Sequence, residues 1–194
     1  MSALESYRLE ASAYRRRLVT WGRTVPVEHW LSFLVALAAC GVVFWRLGPV
    51  EVFTISTPTG GDMGAHVWGP AFLRDHLLPS FQLRGWSPDW YAGFPAMQFY
   101  MVLPYLFIVL VDLFLPYGIA FKLVAISGVV LMPLAAWAMG RLSRWREPLP
   151  ALMAVAALLF VFDFNFTIYG GNIASTLAGE FAFSIGLAAS LIYL

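Results

Sequence analysis

The chain contains 194 residues, of which 60% are hydrophobic and only 12% are charged. Soluble domains have about a quarter of their residues charged, so this composition favours an integral membrane protein. The 12 basic and 11 acidic residues nearly cancel, so no global basic field predicts a nucleic-acid partner, and the single cysteine, Cys40, excludes an intrachain disulfide.

The N-terminal segment 1–28 is predicted to be cytoplasmic. Basic residues beside a membrane span mark its cytoplasmic side, and four arginines precede the first apolar stretch: Arg15, Arg16, Arg17 and Arg23. No small-residue cleavage site follows that stretch, which argues against a cleaved signal peptide. Residues 2–20 are compatible with a short amphipathic helix on the membrane surface or with an irregular tail.

Five apolar stretches follow and predict an all-α, multispan integral membrane protein. A membrane span needs about 20 residues. In chain order the stretches are 30–45, 99–115, 119–139, 149–162 and 177–194. The last one runs to the end of the chain without a polar or basic anchor, so we expect the sequence to be the N-terminal part of a longer protein.

The second stretch decides which groups share a side of the membrane. It contains Pro104 and Asp112, and a carboxylate at the centre of a bilayer costs roughly 2.5–3.5 kcal/mol. If this stretch crosses, the basic cluster at 141–146 lies outside, against the tendency of basic residues to stay cytoplasmic. If it is an interfacial or re-entrant helix on the outer face, the cluster is cytoplasmic. We favour this second interpretation, with a true span as the alternative.

This interpretation predicts a long external first loop, about 49–118, that contains juxtamembrane helices. The spans after this loop are predicted at 119–140, at 149–164 and from about 177. Three acids, Asp62, Asp163 and Glu180, then lie at the outer interface, whereas most basic residues remain on the cytoplasmic side.

The segment PTGGDMGAHVW, residues 58–68, is the first candidate site. Gly60 and Gly61 permit a tight turn, and Asp62 can then cap the helix that follows. His66 comes four residues later, so the two side chains share one helix face. One interpretation is a helix cap with a polar neighbour. The other makes Asp62 a catalytic base or a ligand of a divalent metal, for which one Asp and one His supply only half of a site.

The segment RGWSPDWYAGFP, residues 84–95, carries candidate substrate-binding aromatic residues. Trp and Tyr favour the headgroup level of a membrane, which explains Trp86, Trp90 and Tyr91 as an interfacial belt. Sugar rings also stack on such side chains, so a cleft for a donor or acceptor sugar is the alternative.

Three basic residues are candidates for binding a lipid phosphate, because cationic side chains are good partners for phosphate oxygens. They are Arg74, Arg84 and Lys122. Ordinary anchoring to lipid headgroups is the alternative. His66 is a candidate for orienting Asp62 or for contacting the phosphate.

The segment YGGNIASTLAGEFAFS, residues 169–184, is the third candidate site. An acid inside an apolar membrane helix is costly and predicts a functional group by default, so Glu180 is a candidate catalytic residue that we expect to face a polar cavity. The small residues around it also allow close helix packing, which is the alternative role. Asp163 either ends the preceding span or lines the same site.

The chain contains no phosphate-binding glycine loop, Ser-His-Asp order, CxxC pair or HExxH motif. The early acid in GGDMGAHVW and the aromatic stretch leading to FYMVLPYLFIVL resemble the N-terminal module of the GT-C glycosyltransferase superfamily. The stretches GRLSRWREPLPALMAVAALLFVFDFNF and GGNIASTLAGEFAFSIGLAASLIYL resemble a bacterial branch of membrane proteins described as related to 6-pyruvoyl-tetrahydropterin synthase.

The resemblance implies a GT-C-like transmembrane module at 29–194 in a multi-pass protein of the bacterial plasma (inner) membrane, with a cytoplasmic N-terminus. It implies a glycosyltransferase that uses a polyprenyl-phosphate-linked sugar and a glycan acceptor at the external face, with membrane lipids and further membrane subunits as partners. The early acid of the superfamily, a catalytic base or metal-site acid, maps onto Asp62. A second acid maps onto Asp163, although no DxD pair follows it.

Two other functions are compatible with these features. One is a transporter or flippase-like subunit that passes lipid-linked glycans through the same outer cavity. The other is a non-catalytic assembly partner whose acids fix helix packing. Release of sugar from a polyprenyl-phosphate donor distinguishes the transferase from both. No cofactor is predicted with certainty, and a divalent metal near Asp62 is the one candidate.

Overall fold

The computed structural model describes residues 26–99 and 101–193. The predicted cytoplasmic segment therefore lies outside the described residues, except for 26–28. The protein is 68% helical with 4% strand, so the prediction of a mainly helical protein is confirmed and a short β-ribbon is the exception to the all-α class.

The described residues form eight α-helices. They are α1 (Val27–Arg46), α2 (Pro49–Val52), α3 (Met63–Phe72), α4 (Val102–Asp112), α5 (Tyr117–Leu142), α6 (Leu149–Val161), α7 (Ile173–Ser175) and α8 (Phe181–Tyr193). Single π-helical turns follow α3 at Leu73–Leu77 and precede α8 at Thr176–Glu180, and a 3₁₀ turn occupies Leu78–Ser80. The ribbon pairs β1 (Gly85–Ser87) with β2 (Phe94–Ala96) in antiparallel register.

Helix α5 is the centre of the bundle and contacts α1, α4, α6 and α8. In an apolar stretch of 18 residues of α5, 61% of the residues are buried, against 22% in the equivalent stretch of α1. Gly128 lets α8 approach closely, because a Cβ atom there would overlap the backbone of Ser184 and Ile185. A small residue at the crossing point is a common device of helices that pack within membranes.

Three helical segments of the described residues are long and apolar enough to cross a membrane: Val27–Arg46, Tyr117–Leu142 and Ile173–Tyr193. Four spans are predicted from the sequence. The difference is α6, whose 13 residues extend about 20 Å, less than the roughly 30 Å of a hydrocarbon core. Helix α4 is shorter still, with 11 residues and about 17 Å, so its length favours the interfacial interpretation of 99–115.

The acid in the second apolar stretch has a partner. Asp112 Oδ2 lies 2.5 Å from Arg74 Nη1, and the Asp112 side chain is only 11% exposed. The cost expected for this acid refers to an unpaired carboxylate, whereas the ion pair compensates its charge locally. The same arginine forms two further hydrogen bonds with Asp75, at 2.7 and 2.8 Å, so this pairing joins α4 to the turn after α3.

One end of the bundle joins the start of α1 to the loop that follows α5. His29 Nδ1 lies 3.1 Å from Glu147 Oε1, and Arg141 Nη1 lies 3.3 Å from the same oxygen. The beginning of the first helix and the basic cluster at 141–146 therefore share one end, as the predicted topology requires.

At the opposite end of the bundle lie α3 and the loop after α6. The Tyr117 hydroxyl, in the first residue of α5, donates to the carbonyl of Val67 in α3. The Arg46 guanidinium, at the end of α1, lies 6.0 Å from the ring centre of Phe164. The segment after α1 and the loop after α6 thus lie together, on the end away from the basic cluster.

This arrangement generates a labelling prediction for intact cells. In a Cys40→Ala background, a cysteine at Tyr91 is expected to react with a membrane-impermeant maleimide, because that side chain is fully exposed at the end predicted to be external. A cysteine at Ser143, at the opposite end, is expected to react only after the cells are permeabilised. Efficient external labelling at position 143 would reverse the orientation.

Candidate functional site

A glycine turn is docked on an interrupted helix. Gly60 and Gly61 have φ values of 94° and 51°, and Gly179, within the π-helical turn before α8, has a φ of 130°. The Asp62 N–H donates to the carbonyl of Ala178 at 2.7 Å. A Cβ atom on Gly61 would overlap that carbonyl oxygen. Both the turn and the interruption therefore depend on glycine, which tolerates positive φ and close backbone approach.

The docked turn places three predicted site residues around one pocket. This pocket, the acid pocket, has a volume of about 230 Å³ and is lined by Asp62, His66, Gly179 and Glu180 together with Phe99, Met101, Ala182 and Phe183. Asp62 precedes α3, yet its side chain makes no capping hydrogen bond. The face shared by Asp62 and His66, predicted from their spacing, is the face that lines the pocket.

His66 forms the inner wall of the acid pocket and is 9% exposed. Its Nδ1 lies 2.9 Å from the Tyr105 hydroxyl, and its ring meets that of Phe181 edge-on with centroids 5.4 Å apart. Its Cδ2–Nε2 edge faces Gly179. Burial lowers the pKa of His66, and the nearby Asp62 charge offsets this only in part, so the neutral imidazole is favoured.

Glu180 is exposed and lines the acid pocket, as predicted from the cost of an acid in an apolar helix. Among the described residues its carboxylate has no ion-pair partner. Its position follows from the helix interruption, because Glu180 is the last residue of the π-helical turn and stands next to Gly179. The pocket therefore holds two carboxylates and a buried imidazole.

An aromatic pocket of about 380 Å³ adjoins the acid pocket and shares His66 and Phe99 with it. Its walls include Trp68, Trp90 and Phe94, whose ring centroids are 5.4–5.9 Å apart in the three pairs. The remaining lining residues are Ala65, Pro95, Met97, Gln98 and Tyr105. Aromatic walls with a few polar atoms are typical of small-molecule sites.

The aromatic wall is held in place before any ligand arrives. Trp68 Nε1 donates to Asp89 Oδ2 at 2.8 Å, and the Asp89 N–H donates to the Ser87 hydroxyl at 3.2 Å. The Trp68 ring also stacks on Phe72, with centroids 4.8 Å apart and ring planes 21° from parallel. The turn of the β-ribbon thus places Trp90 against a ring that is held by a hydrogen bond and a stacking contact.

Three predicted substrate-binding residues of this segment lie elsewhere. Trp86 is 65% exposed and covers Gly93 on the ribbon, and Tyr91 is fully exposed at the ribbon turn. Arg84 is exposed before β1 and lines a shallow depression with Gln82 and Leu83. Of the four candidates at 84–91, only Trp90 lines the aromatic pocket.

Asp163 lies outside the acid pocket. Its Oδ1 accepts hydrogen bonds from the backbone and side-chain nitrogens of Asn165, at 2.9 and 2.8 Å, which shapes the loop after α6. Asn172, fully buried, donates to the carbonyls of Asp163 and Phe166 and accepts from the Ser175 N–H. Asn172 therefore ties this loop to the start of the interrupted helix.

Two of the residues predicted to bind phosphate already contact other residues of the chain. Arg74 is held by Asp75 and Asp112, and these hydrogen bonds raise its pKa above the ordinary value. Lys122 Nζ lies 2.7 Å from the carbonyls of Glu51 and Thr54. No lysine or arginine of the described residues lines the acid pocket.

The described residues contain no group of three His, Cys, Asp or Glu side chains that could hold a metal ion. Asp62, His66 and Glu180 line one pocket but are not such a group, and a divalent metal near Asp62 stays a prediction. Comparison with known proteins gives no matching family model, no matching curated protein and no matching solved structure. The resemblance to the GT-C superfamily therefore stays a prediction from the sequence.

Sequence analysis missed three residues that shape the site. Tyr105 lies inside the second apolar stretch, where a single hydroxyl gives little signal, and Asp89 lies among aromatic residues that carry the stronger signal. Gly179 precedes Glu180 in a run of small residues that predicts packing, although an isolated glycine in a helical pattern also marks an interruption.

Alanine at Gly61 is expected to destabilise the protein more than alanine at Gly60. Both glycines have positive φ, so both substitutions introduce backbone strain. Only the Cβ at position 61 meets the Ala178 carbonyl, whereas position 60 faces open space. Forcing apart packed atoms costs about 1–3 kcal/mol. Thermal unfolding of both variants in detergent measures the difference, and equal melting temperatures would contradict the docking contact.

Proposed function

We propose that the protein is a membrane-bound transferase that moves a sugar from a polyprenyl phosphate to a glycan acceptor at the external face. One observation carries this proposal. The Asp62 side chain makes no capping hydrogen bond and shares a pocket with Glu180 and His66, beside an aromatic pocket. Three apolar helices of sufficient length support a membrane location.

The charge of the acid pocket favours the acceptor over the donor phosphate. Asp62 and Glu180 together contribute two negative charges, and no described lysine or arginine in the lining offsets them. Two carboxylates that line one pocket repel a phosphate, whereas an acceptor hydroxyl donates to a carboxylate. The acceptor hydroxyl therefore occupies the acid pocket, and the donor phosphate lies outside it.

Asp62 serves as the general base in this scheme. The acceptor oxygen attacks the anomeric carbon, the bond from that carbon to the phosphate oxygen breaks, and polyprenyl phosphate leaves with the bonding electrons. Asp62 takes the proton of the acceptor hydroxyl, a role that typically contributes 10²–10⁴ in rate. His66, held at Nδ1 by Tyr105, turns its Nε2 edge to the same pocket and orients the acceptor.

The aromatic pocket holds the sugar ring of the acceptor next to the reacting groups. One flat face of a sugar ring is formed by C–H groups, which pack on the tilted rings of Trp68, Trp90 and Phe94. Its hydroxyl edge meets Gln98 and His66 at the border of the pocket. Because His66 and Phe99 belong to both pockets, a bound sugar extends from one to the other.

Asp62→Asn is expected to abolish transfer without changing the fold. Asparagine keeps the backbone N–H that docks on Ala178, and the native side chain makes no capping bond that could be lost. The substitution removes the proton-accepting carboxylate, so sugar release from a polyprenyl-phosphate donor by the full chain should fall by about 10²–10⁴. Melting temperature and expression should stay near those of the wild type.

Asp75→Asn is the matched control, since it removes one exposed carboxylate outside the pocket while Arg74 keeps Asp112. Wild-type transfer by Asp62→Asn would contradict the assignment of the base. Glycan-lipid translocation without sugar release by the wild type would instead identify a transporter.

Trp90→Ala is expected to weaken acceptor use, whereas Trp86→Ala is expected to leave it unchanged. Both substitutions remove a tryptophan of the same ribbon, but only Trp90 lines the aromatic pocket. Loss of a stacked ring at a fixed wall should raise the acceptor KM by about tenfold, as for removal of an aromatic contact of about 1.4 kcal/mol. Equal effects of the two variants would indicate an interfacial belt.

A further inference from the structure

A second cleft lies at the end of the bundle opposite the acid pocket. It has a volume of about 460 Å³ and is lined by Glu28, His29, Arg141, Arg144, Trp145, Arg146 and Glu147. The cleft lies where α1 begins and α5 ends, at the termini of two helices long enough to cross a membrane. Neither the acid pocket nor the proposed transfer uses any of these residues.

Arg144 occupies a backbone position that suits glycine. Helix α5 ends in a Schellman motif, in which Trp145 N–H donates to the Gly140 carbonyl and Arg144 N–H to the Arg141 carbonyl, both at 3.0 Å. Arg144 is the left-handed residue of this motif, with φ of 59°. A residue with a Cβ is less stable in this conformation than glycine by about 1–2 kcal/mol. The turn itself gives no reason for arginine here.

The arginines of the cleft differ in whether their charge is already paired. Arg141 is bound to Glu147, but Arg144 and Arg146 are exposed and have no ion pair or side-chain hydrogen bond within the described part of the chain. Guanidinium groups bind phosphate through paired N–H donors. These two side chains therefore supply the anion-binding half of the cleft.

Carboxylates form the other half. Glu147 is 9% exposed, and its Oε1 is bound to His29 and Arg141, whereas its Oε2 is enclosed without a hydrogen-bond partner in the described residues. A buried acceptor without a donor is costly. Glu28, exposed in the first turn of α1, also lines the cleft and has no ion pair among the described residues. The exposed Glu28 therefore favours a ligand that carries positively charged N–H donors, and Glu147 adds negative charge in the same cleft.

We propose that this cleft binds the headgroup of phosphatidylethanolamine. The phosphate contacts Arg144 and Arg146, and the primary ammonium donates to the exposed carboxylate of Glu28. Phosphate and ammonium in one headgroup match a cleft that has unpaired groups of both signs. Trp145 lines the cleft and is an exposed apolar side chain, as are Leu142 and Leu149 in the same part of the sequence. These three side chains face the acyl chains of the bound lipid.

The methylation series of the headgroup tests the carboxylate half. Protein purified in detergent is titrated with phosphatidylethanolamine, its N,N-dimethyl derivative and phosphatidylcholine of the same acyl chains, and bound lipid is measured by native mass spectrometry. The ammonium groups carry three, one and no N–H donors respectively, so we expect affinity to fall in that order, by at least tenfold from first to last. Equal affinity for the three lipids would overturn the proposal.

Variants separate the two halves of the headgroup. Glu28→Gln should abolish the preference for phosphatidylethanolamine over phosphatidylcholine while both lipids still bind. Arg144→Gly should weaken both lipids about tenfold and leave the melting temperature unchanged or higher, because glycine suits the left-handed position. Arg146→Gln should weaken both lipids without touching that turn. Preserved preference in Glu28→Gln, or full affinity in both arginine variants, would contradict the assignment.

Two controls separate headgroup binding in the cleft from general charge attraction and from binding of a soluble ligand. Arg46→Gln removes an arginine from the far end of α1, at the opposite end of the bundle, and should leave lipid affinity unchanged. If it weakens the lipids as much as the cleft variants, general attraction between arginine and phosphate accounts for the binding and the cleft is not a site. Free phosphoethanolamine should not displace the lipid at equal concentration, and full displacement would identify a soluble ligand in place of a lipid.

Discussion

The candidate site depends on one backbone hydrogen bond, from the Asp62 N–H to the carbonyl of Ala178. Gly179 interrupts the last helical segment and gives the backbone there a non-helical conformation, and the glycine turn at 60–61 fits against it. The bond fixes Asp62 at a position where its side chain does not cap α3. It also brings two segments separated by more than half of the chain into one pocket.

The interruption has a second effect on the same region. If residues 173–193 formed one continuous helix, the Glu180 side chain would point in a different direction. The glycine turn at 60–61 would then have no non-helical backbone to dock against. Instead, the hydroxyls of Thr176 and Ser184 lie 2.5 Å apart across the interruption. Buried polar side chains near a break hold the two helical parts in a defined relation, because their hydrogen bonds are difficult to replace in an apolar interior.

Local pattern was sufficient to predict most helices but not their lengths or their partners. The apolar stretches at 30–45 and 119–139 correspond to α1 and α5. The i, i+4 spacing correctly predicts that Asp62 and His66 share one helix face. The span predicted at 149–164 is shorter in the structure, because α6 ends at Val161 and the next turn is organised by Asp163 and Asn172. That contact joins residues nine positions apart through a buried amide, which no hydrophobic period encodes.

The basic residues show the same limit for binding sites. Arg74 and Lys122 have the chemistry of phosphate ligands, and the sequence carries no sign that Asp112 and the carbonyls of Glu51 and Thr54 bind them first. Those partners lie 38 to 71 positions away along the chain. A basic residue is available to a ligand only when the fold leaves it unpaired, so tertiary contacts decide which cations can act.

Helix α5 sets the distance between the two regions that the structure singles out. Its 26 residues extend about 39 Å, close to the 40–45 Å of a bilayer that includes its headgroups. Its first residue contacts α3 through the Tyr117 hydroxyl, and its last turn leads into the Schellman motif of Arg144. When one end of α5 reaches the headgroups, the other end reaches the opposite headgroups as well. In the proposed membrane orientation, the acid pocket and the charged cleft lie at two water-facing surfaces, where carboxylates and guanidinium groups keep their charges.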